Sequence, residues 1–105
     1  GFDANTGKGN GQTALHVAAS HGNEDMAMLL LDHGANIHAE EDKSGYTPLD
    51  MAVEEDRQRM ALLLLQRGAD VMDGKGLPMF LAKTNGHDGM ARLLIKHGAD
   101  IEGHE

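Results

Sequence analysis

A five-residue segment opening on glycine returns at near-constant distance along the chain: Gly1-Phe2-Asp3-Ala4-Asn5, Gly34-Ala35-Asn36-Ile37-His38, Gly68-Ala69-Asp70-Val71-Met72 and Gly98-Ala99-Asp100-Ile101-Glu102. The leading glycines are 33, 34 and 30 residues apart, a period near 33 with one insertion and one deletion. That length is too long for a heptad and fits a solenoid, in which one small supersecondary unit stacks on copies of itself. A unit this short cannot hide its own apolar face, so about three are needed in series for a stable fold.

The same physical events recur inside each period. Gly11-Gln12-Thr13-Ala14-Leu15-His16-Val17-Ala18 and Gly45-Tyr46-Thr47-Pro48-Leu49-Asp50-Met51-Ala52 both read as turn, cap and helix. Thr13 and Thr47 can accept from the first free amides of a helix, and Pro48 occupies the first helical position, where its missing N–H costs nothing. Gly22 and Gly86 stand where the chain must leave that helix through a left-handed residue, and Asp56 fills the place in the second unit at some energetic cost. A second helix follows, with Met26, Leu29 and Leu30, then Met60, Leu63 and Leu64, then Met90, Leu93 and Leu94, at spacings of three and four that define one buried face. Ala18, Ala52 and Ala82 share one register position and Ala27, Ala61 and Ala91 another, which lets neighbouring helices approach closely. Aromatic residues make up only 3% of a chain that is 40% hydrophobic, so the core must be thin and built of Ala, Leu, Met and Val.

These motifs resemble the ankyrin-repeat family, whose signature is a 33-residue unit containing T-P-L-H-x-A. Thr13-Ala14-Leu15-His16-Val17-Ala18 and Thr47-Pro48-Leu49-Asp50-Met51-Ala52 each match with one substitution, and the resemblance covers essentially the whole chain. It implies an all-α ankyrin-repeat solenoid of stacked helix-turn-helix units with short β-turn fingers. The expected organisation is a single domain over 1–105, with 1–8 the tail of a preceding repeat, 9–41 and 42–73 two repeats, and 74–105 a degenerate third. In that third unit Leu77-Pro78-Met79-Phe80-Leu81-Ala82 lacks the threonine and the histidine. A tight connection at Gly74 to Gly76 is expected there in place of a full finger, in a unit that serves as an end cap or a junction. The opening residues also lead one to expect a longer native array, from which a chain starting on Gly1 has been cut or processed.

Charge and composition exclude several functions. The net charge is −8, and the stretch from Glu40 to Asp73 carries nine acids against four bases. Phosphate binding is driven largely by Lys and Arg displacing counterions, so nucleic acid and anionic membranes are disfavoured partners. No cysteine is present, which removes disulfides and thiolate metal sites and leans towards the cell interior, cytoplasm or nucleus. No apolar run approaches a membrane span. Gly7-Lys8-Gly9-Asn10-Gly11 has the composition of a phosphate loop but lacks the Ser or Thr after the lysine, and reads as a turn. Seven histidines invite a metal, yet His16 and His21 lie about 140° apart on a helix and no H-E-x-x-H occurs. His33, Arg67 and His97 precede the glycine ending each second helix, where positive charge meets the helix dipole, and His16 fits the family's buried turn-to-helix hydrogen bond, which Asp50 can still accept. Met26, Met60 and Met90 read as core. No nucleophile stands with a positioned base, so no enzyme activity, metal or cofactor is expected.

The resemblance implies a concave face built from finger tips and the exposed side of the first helices, with protein partners bound there. By position it selects Asn10, Gln12, Ser20 and His21 from the first unit, with Glu40 at its end. From the second it selects Lys43, Ser44, Tyr46, Glu54 and Glu55, and from the third Thr84 and Asn85. Glu40, Glu41 and Asp42, with Glu54, Glu55 and Asp56, are expected to form an acidic region around Tyr46. A basic peptide or basic protein surface is the corresponding ligand, taken by a monomer, with Tyr46 supplying contact area and a face for a cation. The same acids also read as a solvated surface that keeps the array soluble. A structural or regulatory segment of a larger enzyme or channel, with no ligand of its own, is the alternative.

Overall fold

The computed structural model describes residues 12–41, 44–71 and 77–97, with the backbone alone at Leu77. The expected tail at 1–8, the connection at Gly74 to Gly76, and Asn10, Asp42, Lys43 and Met72 among the residues singled out above lie outside them. The described residues form six helices, α1 Ala14–His21, α2 Glu24–Asp32, α3 Pro48–Glu54, α4 Gln58–Gln66, α5 Leu77–Thr84 and α6 Asp88–Lys96, and no strand. Each odd helix packs on the even helix after it. The odd helices stack as one row and the even helices as a second, the odd row being the more extensive contact. This is the all-α solenoid of helical hairpins that the period requires.

Local chemistry sets each hairpin. The Thr13 hydroxyl accepts from the His16 amide at 3.4 Å while His16 Nδ1 accepts from the Thr13 amide at 3.0 Å, a capping box in which imidazole stands in for the more usual carboxylate. In α3 the Thr47 amide donates to Asp50 Oδ2 at 2.9 Å and the Asp50 amide to Thr47 Oγ1 at 3.3 Å, so aspartate performs the same function. His16 does one thing more. Its Nδ1 accepts, so the neutral ring carries its proton on Nε2, and that N–H donates to the Tyr46 carbonyl at 2.8 Å, tying the first hairpin to the turn that begins the second.

The first helices end through left-handed residues at Gly22 (φ 70°), Asp56 (φ 56°) and Gly86 (φ 72°). The amide of the residue after each returns to a carbonyl inside the helix: Asn23 to Ala18 at 2.9 Å, Arg57 to Ala52 at 2.8 Å and His87 to Ala82 at 2.9 Å. His33 Nδ1 donates to the Leu29 carbonyl at 2.9 Å, the C-terminal role expected of it.

Packing follows the alanine registers. Ala27, Ala52, Ala61 and Ala82 are fully buried, as are Leu64 and Leu94, with Leu30 nearly so. The expected stripe on the second helices is borne out at Met60, Met90 and the three leucines just named, but in α2 only Leu30 of the three is buried, with Met26 42% and Leu29 52% exposed. Those two side chains point to the outer side of the first hairpin, where the described residues provide no earlier hairpin to cover them. Met79 is buried, and Phe80 is exposed.

Replacing His16 with Ala opens a cavity and removes one of the two donors to the Tyr46 carbonyl, together with the acceptor of the Thr13 amide, so the urea unfolding midpoint should fall by the equivalent of about 3 kcal/mol. Asp56→Gly relieves left-handed strain and should raise stability by about 0.5–1 kcal/mol in the same measurement.

Candidate functional site

The turn that leads into α3 is braced by hydrogen bonds from both sides of the chain. The Glu41 amide donates to the Tyr46 carbonyl at 2.9 Å and the Gly45 amide to the Glu41 carbonyl at 2.8 Å, with Gly45 in the left-handed region at φ 75°. Glu41 also works through its side chain: Oε1 accepts from the Ser44 hydroxyl at 2.6 Å, and Oε2 accepts from Gln12 Nε2 of the preceding turn at 3.3 Å. The Ser44 hydroxyl in turn accepts from the Tyr46 amide at 3.1 Å. With His16 donating to the Tyr46 carbonyl from the first hairpin, the turn is tied to residues on both sides of the junction between two hairpins.

Tyr46 stands half-buried at the base of this turn. Its phenol is pushed above the ordinary value of 10.0, chiefly by burial, then by the carboxylates of Glu54, Asp50 and Glu41. Three carboxylates thus stand near enough to the ring to act on it. Of the acids gathered around Tyr46 by sequence reasoning, Glu41 and Glu54 act on it directly, and Asp50 joins them from the capping box. Glu40 is exposed before the turn, and Glu55 is exposed as the residue capping the end of α3.

Asp56 belongs elsewhere. It stands 3.8 Å from His87 Nδ1 and lines a hollow of about 240 Å³ with His21, Glu24, Arg57 and Arg59, between the helix-to-helix turns of the first two hairpins. His21 is exposed at the end of α1, where it borders both this hollow and one on the outer side of the first hairpin. Ser20 is half-buried, while Thr84 and Asn85 are exposed at the end of α5. The structure thus brings Gln12, Glu41, Ser44, Tyr46 and Glu54 together at one junction, with Ser20, His21, Thr84 and Asn85 at the ends of the first and third odd helices.

Two residues escaped sequence reasoning. Arg57 Nε donates to the Ser20 carbonyl at 3.0 Å, and His87 Nε2 lies 3.2 Å from the Glu54 carbonyl. They hold the same register position, directly after the left-handed residue, and each reaches back to a carbonyl at the end of the preceding odd helix. The recurrence of a long donor side chain at that position was the available signal. Among the described residues no group of His, Cys, Asp and Glu could hold a metal ion, and no helix is long and apolar enough to cross a membrane.

The comparisons with known proteins point the same way as the architecture. A family model described as ankyrin repeats, three copies, matches residues 1–75. The potassium channel AKT2/3 of Arabidopsis thaliana is 58% identical over 31 residues, which is 30% of this chain and 4% of the channel. The potassium channels AKT1 of Oryza sativa subsp. indica and subsp. japonica are each 48% identical over 46 residues, 44% of this chain and 5% of the channel. The chain therefore spans about a twentieth of the length of these relatives or less.

Tyr46 is the only tyrosine and tryptophan is absent, so phenolate absorbance reports on one group. Its ionisation should fall above pH 10, and Glu54→Gln should move it downwards. The folded phenol titrates above the unfolded one, so this contribution to stability is complete below about pH 10 and is lost as pH rises through the folded value.

Proposed function

The chain belongs to the ankyrin-repeat family, and on that premise we propose that it binds a basic segment of a partner protein at the junction between its first two hairpins. Ankyrin repeats generally mediate protein–protein interaction, and their domains are generally non-catalytic. The division into a tail over 1–8 and units over 9–41, 42–73 and 74–105 is part of this reading.

One observation carries the choice of site and ligand: Tyr46 sits on a turn braced through Gln12, His16, Glu41 and Ser44, in the field of three carboxylates. A ring already held in place loses little entropy when a partner lands on it, and its face and the surrounding acids favour Lys or Arg. Glu41 is engaged with Ser44 and Gln12, so it shapes the site, while Glu54 and Glu55 are the exposed carboxylates that meet the ligand. Gln12, Ser20 and His21 extend this face on one side and Thr84 and Asn85 on the other. The protein acts as a monomer inside the cell.

A second reading has the same hairpins as a regulatory segment of a larger protein, and the similarity to short stretches of potassium channels supports it. The size of the native polypeptide in a cell lysate, by immunoblot, separates the two.

The binding reading is tested with a fluorescent Arg- and Lys-rich peptide titrated against the intact chain across a salt series. Glu54→Gln with Glu55→Gln should weaken binding by about tenfold at low salt and flatten its salt dependence, and Tyr46→Ala should weaken it at every salt concentration. Affinity and salt slope that match the unaltered chain would sink the proposal.

A further inference from the structure

Three asparagines fall among the described residues, and one of them is placed unlike the others. Asn23 Oδ1 accepts from the Met26 amide at 3.2 Å and Asn36 Oδ1 from the His38 amide at 3.0 Å, and the residues that follow them are Glu24 and Ile37. Asn85 is exposed, its side-chain amide makes no hydrogen bond among the described residues, and the next residue is Gly86. The Gly86 nitrogen is itself lightly held. Its bond to the Lys83 carbonyl is 3.3 Å long, against 3.2 Å at Gly22 and 3.1 Å at Asp56, the other two left-handed exits. Apart from its chain neighbours, no atom lies within 4 Å of the place a Cβ on Gly86 would occupy.

We propose that Asn85-Gly86 is a self-modifying site, at which the folded chain converts a side-chain amide into a carboxylate with water as the co-reactant. Asparagine is among the thermally labile side chains, and a following glycine, having no Cβ, leaves its nitrogen room to approach. The Gly86 nitrogen gives up its proton to hydroxide and attacks Asn85 Cγ. The new C–N bond closes a five-membered imide, and Nδ2 leaves as ammonia, taking a proton back from water. A second water then opens the ring. Addition at Cγ yields aspartate, and addition at the main-chain carbonyl carbon yields isoaspartate, in which the chain continues through the side chain. In sum one water enters and one ammonia departs, and nothing is oxidised or reduced.

The place of the residue sets the consequence. Asn85 comes directly after α5, so either product puts a carboxylate against the negative end of that helix. Isoaspartate also adds one carbon to the main chain just before Gly86, where the left-handed exit (φ 72°) is closed by the His87 amide on the Ala82 carbonyl at 2.9 Å. His87 Nε2 lies 3.2 Å from the Glu54 carbonyl of the second hairpin. A longer chain at that point carries His87 away from both carbonyls, so the third hairpin loosens from the second as the protein ages. The reaction involves no partner, and it stands or falls separately from peptide binding.

The test holds the intact chain in mildly alkaline buffer without denaturant and maps its peptides by mass spectrometry at intervals, with isoaspartate counted by enzymatic methyl transfer to its carboxylate. The peptide map reads each asparagine separately, including Asn10 before Gly11, which lies outside the described residues. Asn85 should turn acidic about tenfold faster than Asn23 and Asn36, with isoaspartate among its products. Asn85→Gln, which would have to close a larger ring, should keep its amide over the same period. Asn85→Asp carries the charge without the added carbon. The isoaspartyl chain, isolated by chromatography, should melt below Asn85→Asp and exchange the His87 amide proton faster. An Asn85 that keeps its amide as long as Asn23 and Asn36, that turns acidic without isoaspartate, or that reacts only once urea has unfolded the chain overturns the proposal. An isoaspartyl chain as stable as Asn85→Asp overturns the loosening of the third hairpin.

Discussion

Burial against the neighbouring hairpin, and almost nothing else, holds this molecule together. A helix of seven to nine residues is too short to persist alone in water, and no pair here encloses a core of its own. The methionines show this most directly. Met26, Met60 and Met90 are the same residue at the same register position, and they run from 42% exposed to fully buried according to whether a hairpin among the described residues precedes them. Burial is here a property of place in the array, which is the behaviour of a one-dimensional system with nearest-neighbour coupling.

Apolar contact alone would let hairpins slide or rotate on one another, and the polar bonds between units remove that freedom. His16 reaches forward to the Tyr46 carbonyl, while Arg57 and His87 reach back to the carbonyls of Ser20 and Glu54. Every one of these acceptors is a main-chain carbonyl at a helix end or in a turn, where no intrahelical partner is available. A side chain from an adjacent unit bonds to it and fixes the spacing in the same act. The acceptor is backbone, so the donor can change from Arg to His between units without altering the geometry.

Much of this was legible in the sequence because it is local. Thr13 and Thr47 as caps, Gly22, Asp56 and Gly86 as left-handed exits, and the alanine registers each follow from the chemistry of one residue in one conformation. What escaped depends on the neighbours. The exposure of Met26 and Leu29 is invisible to a periodicity that treats all units as equivalent. Arg57 and His87 read as ordinary surface residues until the carbonyl opposite them is known. Asp56 looks like part of an acidic run with Glu54 and Glu55, yet its left-handed backbone turns the chain away and leaves it beside His87. Adjacency in sequence was a poor guide to adjacency in space just where the chain reverses.

The same neighbour dependence shapes the surface around Tyr46. The turn that carries the ring is held by Gln12 and His16 from the first hairpin and by Glu41 and Ser44 from the approach to the second, and the field comes from Glu54 at the end of α3 and Asp50 at its start as well as from Glu41. No single hairpin contains all of these. Separating the first two hairpins would remove the Gln12 and His16 braces together, so the position of the ring and the stacking of the array are one equilibrium. A ligand that binds only the braced turn must therefore stabilise the junction by the free energy of its own binding, and a weakened junction must weaken the ligand by the same amount. Rigidity of the turn around Tyr46 thus depends on the burial that holds the hairpins together, and the hydrogen bonds that cross from one unit to the next transmit that dependence.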